Sequence, residues 1–207
     1  MNTSLRKRFF TWLMKKREPA NHRMYGTYKE DLFCTITGTV VEIGPGMGSN
    51  FRYFPTDIEW IGIEINDAFT DALLAAAHAR NITASLRHGD AASIPLSDNS
   101  ADIVLCTLVL CSVLNPSAAV AEMKRILKPG GKLIFIEHVA GRHKTVMRTV
   151  QNIINPVNRF LFDGCNCNRE TWTYFENGGF TQLELSHRSV KGSFTIHTPH
   201  IMGIAVK

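Results

Sequence analysis

The sequence predicts an α/β protein built on a doubly wound sheet. Three observations carry that prediction. Short β-branched runs alternate with helical segments, three glycines directly follow the first of those runs, and two strand-like runs close the chain. With 207 residues, 44% hydrophobic and 20% charged, the chain has the composition of an ordinary globular domain.

The first 17 residues stand apart. Arg6, Lys7, Arg8, Lys15, Lys16 and Arg17 place six positive charges there and no acid. The chain has 23 basic and 18 acidic residues, a net charge of +5, so removing those six leaves 17 basic against 18 acidic. The basic character belongs to a tail, which disfavours a nucleic-acid groove across the body. Leu5, Phe9, Trp12 and Leu13 would share one helical face, with Phe10 and Met14 beside it. That face suits a helix at an anionic membrane surface, with a lid packed on the domain or a frayed basic tail as the alternatives. HRMYGTYKEDLF (22–33) reads as a broken helix, in which Tyr25 and Tyr28 are lid candidates. Residues 1–33 are therefore expected to form a basic amphipathic helix and lid, and residues 34–207 a single domain.

No apolar run reaches the roughly 18 residues of a spanning helix. The N-terminus also lacks the uncharged core and cleavage site of a secretory signal. A cytoplasmic location is expected, with peripheral membrane contact through the N-terminus as one reading of the tail.

TVVEI (39–43), bounded by Gly38 and Gly44, reads as a buried strand, and WIGIEI (60–65) as a second. DAFTDALLAAAHAR (67–80) is a helix by its alanine and leucine content, its leading acid and its closing arginine. ITASLRH (82–88) and ADIVLCTLVL (101–110) read as strands three and four. PSAAVAEMKRIL (116–127) is a helix opened by proline and stopped by Lys128-Pro129-Gly130-Gly131. KLIFIEHV (132–139) is strand five, residues 143–177 read as helical and irregular, and FTQLELSHRS (180–189) and FTIHTPHIMGIAVK (194–207) read as the terminal strands.

VVEIGPGMGSN (40–50) is the stretch with the sharpest chemical meaning. Gly44, Gly46 and Gly48 lie between the first strand and an expected helix, where a ligand must approach the backbone closely. Glu64 ends the second strand, placed to accept hydrogen bonds from both hydroxyls of a ribose. The order strand, glycine loop, strand, acid predicts a nucleoside cofactor. The loop lacks both the GxGxxG spacing and the lysine of a phosphate loop, so hydride transfer and nucleotide hydrolysis fall behind.

VVEIGPGMGSNF, Glu64, GDAASIPLSDNSADIV and ILKPGGKLIFIEH together resemble the successive motifs of class I S-adenosylmethionine-dependent methyltransferases. The resemblance implies a Rossmann-like, seven-stranded, mostly parallel sheet whose last strand runs antiparallel between strands five and six. It implies S-adenosylmethionine as cofactor, with Glu42 near the methionine amino group and Gly44, Gly46 and Gly48 alongside. It also implies that Asp90 binds the adenine amino group beside Ala91, and that Thr107 and Leu108 line the cofactor.

A rarer set is CTLVLCSV (106–113), EHV (137–139), NPVNRFLFDGCNCNRETW (155–172) and PHIMGIAVK (199–207). It resembles the small methyltransferase-like family of membrane-associated alkyl thiol methyltransferases. The resemblance implies direct in-line methyl transfer to a small hydrophobic thiol or hydrosulfide. This chain has a short basic N-terminus where those relatives carry a long hydrophobic anchor. A lipid-headgroup amine or a quinone-like ring is the rival acceptor, and a non-catalytic cofactor-binding scaffold the rival class.

Sites in open α/β sheets form at the carboxyl ends of the parallel strands. His138 closes strand five at that edge, and the beginning of an antiparallel last strand, with His197 and His200, lies at the same edge, so His138 and His200 are candidate acids or bases. Asp163 is a candidate for orienting a base or binding the acceptor. Asn166 and Arg169 are expected to hold the LFDGCN segment rather than do chemistry, and Trp172, Phe160 and Phe162 to wall an apolar pocket or pack in the core.

The five cysteines, Cys34, Cys106, Cys111, Cys165 and Cys167, are an odd number in a chain without an export signal, so reduced thiols are expected. Cys165 and Cys167 have no second pair at metal-ligand spacing, so no metal site is expected. Cys111 and Cys165 read either as small buried hydrophobes or as acceptor-site residues.

Overall fold

A computed structural model of the protein describes residues 3–191 and 197–207, with residues 3–10, 13 and 14 described as helical backbone only. One seven-stranded sheet runs β3-β2-β1-β4-β5-β7-β6. Its strands are β1 (Thr39–Ile43), β2 (Glu59–Glu64), β3 (Thr83–His88), β4 (Ala101–Thr107), β5 (Leu127–His138), β6 (Gln182–Lys191) and β7 (His197–Val206). β1 to β5 pair in parallel, whereas β7 lies between β5 and β6 and is antiparallel to both. Residues 194–196 of the last expected strand lie outside the described residues.

Two greasy layers sandwich the sheet. Val41, Ile43, Val104 and Phe135 face α3 (Pro116–Ile126) and α5 (Trp172–Glu176), with Phe135 stacked on Phe175 at 3.9 Å between ring centroids. Val40, Trp60 and Ile136 face α1 (Thr3–Phe33) and α2 (Thr70–His78), which contribute Phe33, Tyr25 and Leu73. The chain leaves β1 toward β2 and β3, then returns to the far side of β1 as β4. The reversal opens a crevice at the carboxyl ends of β1 and β4.

Three expectations are corrected by packing. The helix expected to break near residue 22 is continuous from Thr3 to Phe33, through Pro19 and Gly26. A Cβ at Gly26 would come within 3.3 Å of the His22 ring and 3.5 Å of the Tyr53 hydroxyl, so the glycine permits close packing. Burial of Tyr25 and Phe33 outweighs its propensity cost of about 1 kcal/mol. The glycine loop, too, leads to a 3-10 turn (Phe51–Tyr53) instead of an α-helix. Phe51 and Phe54 fold back there as an aromatic cluster, with Phe51 4.7 Å from Trp60.

The third correction concerns α4 (Val146–Leu161), which is inside out. Its polar side chains face the protein. Gln151 is buried, accepting from Gly141 N and donating to Val139 O, while Asn155 accepts from Cys167 N and Asn158 donates to Cys165 O. Its apolar side chains face outward, with Ile153 71% and Phe160 63% exposed, alongside Val146, Val150, Ile154 and Val157. Phe160 walls no pocket.

Candidate active site

A groove of about 390 Å³ lies at the carboxyl edge of β1, β2 and β4. An open hollow of about 580 Å³ beside Thr39 and Glu59 lies at the amino edge, away from the switch point.

The floor of the groove is the glycine loop. Gly44, Gly46 and Gly48 have φ of +60°, +56° and +75°, the left-handed region that favours glycine. A Cβ on Gly44 would meet Val109 at 2.7 Å, and one on Gly48 would meet Phe51 at 2.6 Å. A Cβ on Gly46 would meet nothing within 4 Å, so the space above it is open. Gly44 and Gly46 line the groove, whereas Gly48 lies beneath it against Phe51.

Glu64 lines the groove. Its Oε2 accepts from Gly46 N at 3.1 Å and its Oε1 from Asn66 N at 2.8 Å. Burial raises its pKa, against those backbone bonds, and the charge of Asp163 adds to the rise. A carboxylate has about four lone-pair sites, so capacity remains for a ribose hydroxyl beyond its backbone donors. Asn66 also lines the groove, and its Nδ2 is buried without a hydrogen-bond partner among the described residues.

Asn50 also lines the groove. Its Nδ2 donates to Glu42 Oε1 at 2.6 Å and to Thr107 Oγ1 at 3.0 Å, which leaves its buried Oδ1 without a partner among the described residues. Glu42 does not line the groove. Its second oxygen accepts from Trp60 Nε1 at 3.0 Å, and burial pushes its pKa up to about 7. Glu42 thus acts on the groove through the amide it orients. Lys29 of α1 also lines the groove, and burial pulls its pKa down to about 8. An orphan carbonyl oxygen and a buried cation make a site for a zwitterion.

Asp90, Ala91, Thr107 and Leu108 all line the groove. Asp90 is exposed and accepts from Ala92 N at 2.8 Å. Leu108 has φ +60° and is held by its N–H to Ile136 O at 2.8 Å. Beneath that turn, fully buried Glu137 accepts from Val109 N and Leu110 N, while its Oε2 has no partner among the described residues. Burial raises the Glu137 pKa.

The three catalytic candidates part company. Asp163 lines the groove, in a left-handed conformation with φ +47°. His138 lies outside the groove lining, with Nε2 3.1 Å from Cys165 Sγ. Burial opposes charge on His138, but the bond and charge of Cys165 outweigh it and raise its pKa. His200 is 1% exposed and both its ring nitrogens are engaged, Nδ1 with Thr198 O at 2.9 Å and Nε2 with Tyr25 Oη at 2.8 Å. A carbonyl only accepts, so Nδ1 carries the proton and Nε2 accepts from the phenol. Burial draws the His200 pKa down to about 4. Taking a proton from an acceptor would require breaking the Tyr25 bond.

Asn166 and Arg169 do hold the LFDGCN segment. Asn166 donates through N and Nδ2 to Cys111 O, and Arg169 donates to the carbonyls of Leu110 and Val113. Sequence reasoning missed Lys29, Asn50, Asn66 and Glu137. Only Glu137 carried a local signal, a carboxylate in the apolar run KLIFIEHV.

The comparisons with known proteins agree with this geometry. Residues 41–135 match the methyltransferase domain family model. The chain is 32% identical to thiol S-methyltransferase TMT1A of Homo sapiens over 97% of this chain and 87% of that protein. It is 33% identical to thiol S-methyltransferase TMT1B of Homo sapiens, with the same coverage. In fold it is similar to the YcgJ protein of Bacillus subtilis, with a TM-score of 0.71 at 17% identity, covering 90% of this chain and 98% of that one.

The residues present fit S-adenosylmethionine. Glu64 would offer its remaining lone pairs to the ribose, Asn50 Oδ1 and Lys29 would suit the amino and carboxylate ends of the methionine part, and the open space over Gly46 would admit the chain between. The chain belongs to the S-adenosylmethionine-dependent methyltransferases, in the family that contains the thiol S-methyltransferases.

Proposed function

We propose that the methyl acceptor is a small apolar thiol or hydrosulfide. The observation that carries this reading is the LFDGCN segment (161–166), which brings Asp163 to the groove wall and Cys165 against His138. The two thiol S-methyltransferase relatives support it. S-adenosylmethionine, when bound, supplies an electrophilic methyl group. The chain's part is to align the acceptor and exclude water, because an in-line displacement draws much of its rate from alignment. Leu108, Val109, Val113 and Leu114 give the acceptor end of the groove an apolar wall. A thiol must lose its proton to react, which at a pKa of about 8.5 demands only modest help at neutral pH.

The test is an acceptor panel of hydrosulfide, alkyl thiols, phosphatidylethanolamine and hydroquinones, with S-adenosylhomocysteine and each methylated product quantified by mass spectrometry. A thioether product that disappears with Glu64→Ala is the expected result. Product only from the lipid amine or the hydroquinone would overturn the thiol reading.

We also propose that the protein works against an anionic membrane surface. The outward apolar face of α4 supports this, since no acidic residue occurs from 138 to 162 while Arg142, Lys144 and Arg159 flank that face. Arg17 lies 5.3 Å over the Phe162 ring, which joins the basic end of α1 to the end of α4, and Trp12 is exposed on α1. Leu114, at the mouth of the groove, is 94% exposed. No described helix is long and apolar enough to cross a membrane, so contact would be peripheral. Leu5, Phe9, Phe10, Leu13 and Met14, the rest of the expected N-terminal face, lie outside the described side chains.

A further inference from the structure

Three soft donors converge beside the groove. One ligand atom each from Cys111, His138 and Cys165 lies within 4.8 Å of the other two, the one such group of metal-ligating side chains among the described residues. Cys111 comes from the turn after β4, His138 from the end of β5, and Cys165 from the loop after α4. All five cysteines are free of disulfides.

The cluster is clamped from behind. Both nitrogens of Asn166 donate to Cys111 O, at 2.9 and 3.1 Å, and Asn158 Nδ2 donates to Cys165 O at 2.7 Å. Arg169 fixes the carbonyls of Leu110 and Val113 on either side of Cys111. His138 is fixed by its strand, paired with His200 across β7. Such support is what holding ligands in one geometry requires.

Donor type and number point to zinc. Two thiolates and an imidazole are borderline-soft ligands that suit tetrahedral Zn²⁺, with bonds of about 2.3 Å to sulfur and about 2.0 Å to nitrogen. Those bonds place neighbouring ligand atoms about 3.5 Å apart, so the His138–Cys165 pair at 3.1 Å needs to open by only a few tenths of an ångström. Three protein ligands leave the fourth position open, the arrangement of catalytic zinc. The cluster adjoins the groove through its neighbours: Cys111 Sγ lies 3.7 Å from Leu108 O and 3.6 Å from Ser112 Oγ, and both residues line the groove, as does Asp163 two residues before Cys165.

We propose that Cys111, His138 and Cys165 bind a zinc ion whose fourth position takes the sulfur of the acceptor thiol. The proposal rests on the thiol reading above and supplies what it lacked, a means of making thiolate while His200 is tied to Tyr25. On binding, the S–H bond of the acceptor breaks, its electron pair forms the bond to zinc, and the proton leaves to solvent. No oxidant or reductant is needed. Coordination to a divalent cation deprotonates a thiol outright.

The test replaces zinc with Co²⁺ in the reduced, full-length protein. The expected result is one Co²⁺ per chain, the intense visible bands of a tetrahedral site, and thiolate-to-cobalt charge-transfer absorption that grows when an alkyl thiol is added. Cys111→Ser and Cys165→Ser should each lower that absorption and weaken Co²⁺ binding at least tenfold, while still binding S-adenosylhomocysteine as proof of folding. Cys167→Ser should leave the spectrum intact. The proposal is overturned if the reduced wild type takes up neither metal, or if the spectrum survives in both serine variants. A Cys111–Cys165 disulfide in the isolated protein, with no metal uptake after reduction, overturns it in favour of a redox pair. Undiminished thiol methylation by metal-stripped protein overturns the zinc role and leaves the thiol reading standing. Failure of the thiol reading itself appears separately, as no thioether from any preparation.

Discussion

Tyr25 on α1 donates its phenolic hydrogen to Nε2 of His200 on β7 at 2.8 Å, joining residues 175 apart in sequence inside the core. The bond ties the N-terminal helix to the functional edge of the sheet. It also explains how Lys29, one helical turn further along α1, comes to line the groove.

Tyr25→Phe keeps the ring and removes the bond. It leaves His200 Nε2 buried without its donor, which costs on the order of 1–3 kcal/mol. Urea unfolding should show that loss, and limited proteolysis should show faster cutting within α1. Wild-type His200 should titrate in NMR well below the ordinary histidine range, near 4, and move upward in the variant. Because its folded pKa is depressed, His200 contributes stability that is present above about 6.5 and is lost as pH falls toward 4.

Cofactor affinity should depend on Glu64 and Lys29 in different ways. Glu64→Ala removes a charged acceptor of two hydrogen bonds and should weaken S-adenosylhomocysteine binding by ten- to a hundredfold, as read by calorimetry. Lys29→Met should weaken it too. In the wild type the Lys29 contribution should fade as pH rises through about 8, where the buried amine loses its charge. A pH profile identical in wild type and Lys29→Met would exclude that role.

Glu42 should be visible through Trp60, whose indole N–H it accepts. Trp60 fluorescence should change with a midpoint near pH 7, and Glu42→Gln should abolish the transition. The sign is opposite to that of His200. A carboxyl raised from 4.5 to about 7 contributes stability below 4.5 that is lost as pH rises through 7, on the order of 3 kcal/mol at most.

The outward face of α4 can be tested without touching the groove. Ile153→Asp combined with Val157→Asp should abolish sedimentation with phosphatidylserine vesicles and leave S-adenosylhomocysteine binding unchanged. Binding of the wild type should fall as salt rises, because basic flanks contribute through charge. Deleting residues 1–17 should weaken it further. A wild-type dimer that the double variant dissociates, with vesicle binding unaltered, would make the face a self-interface.

By itself the sequence determined the sheet and the cofactor loop. Those are local patterns: β-branched runs bounded by glycine, a triplet of glycines where the backbone must take positive φ, and an acid one strand later. Each depends on neighbours within a few residues, so it survives in the linear text. The tertiary structure decided what depends on convergence. Lys29 looks like one more polar residue on a helix until the Tyr25–His200 bond seats that helix over the groove. The stripe of apolar residues on α4 would ordinarily mark a core face. Here Gln151, Asn155 and Asn158 satisfy buried backbone groups instead, which turns the stripe outward. Cys111, His138 and Cys165 sit on three separate segments, and no ligand spacing relates them along the chain. Periodicity encodes the elements, but which side chains meet is set by how loops close and which buried polar groups must find partners.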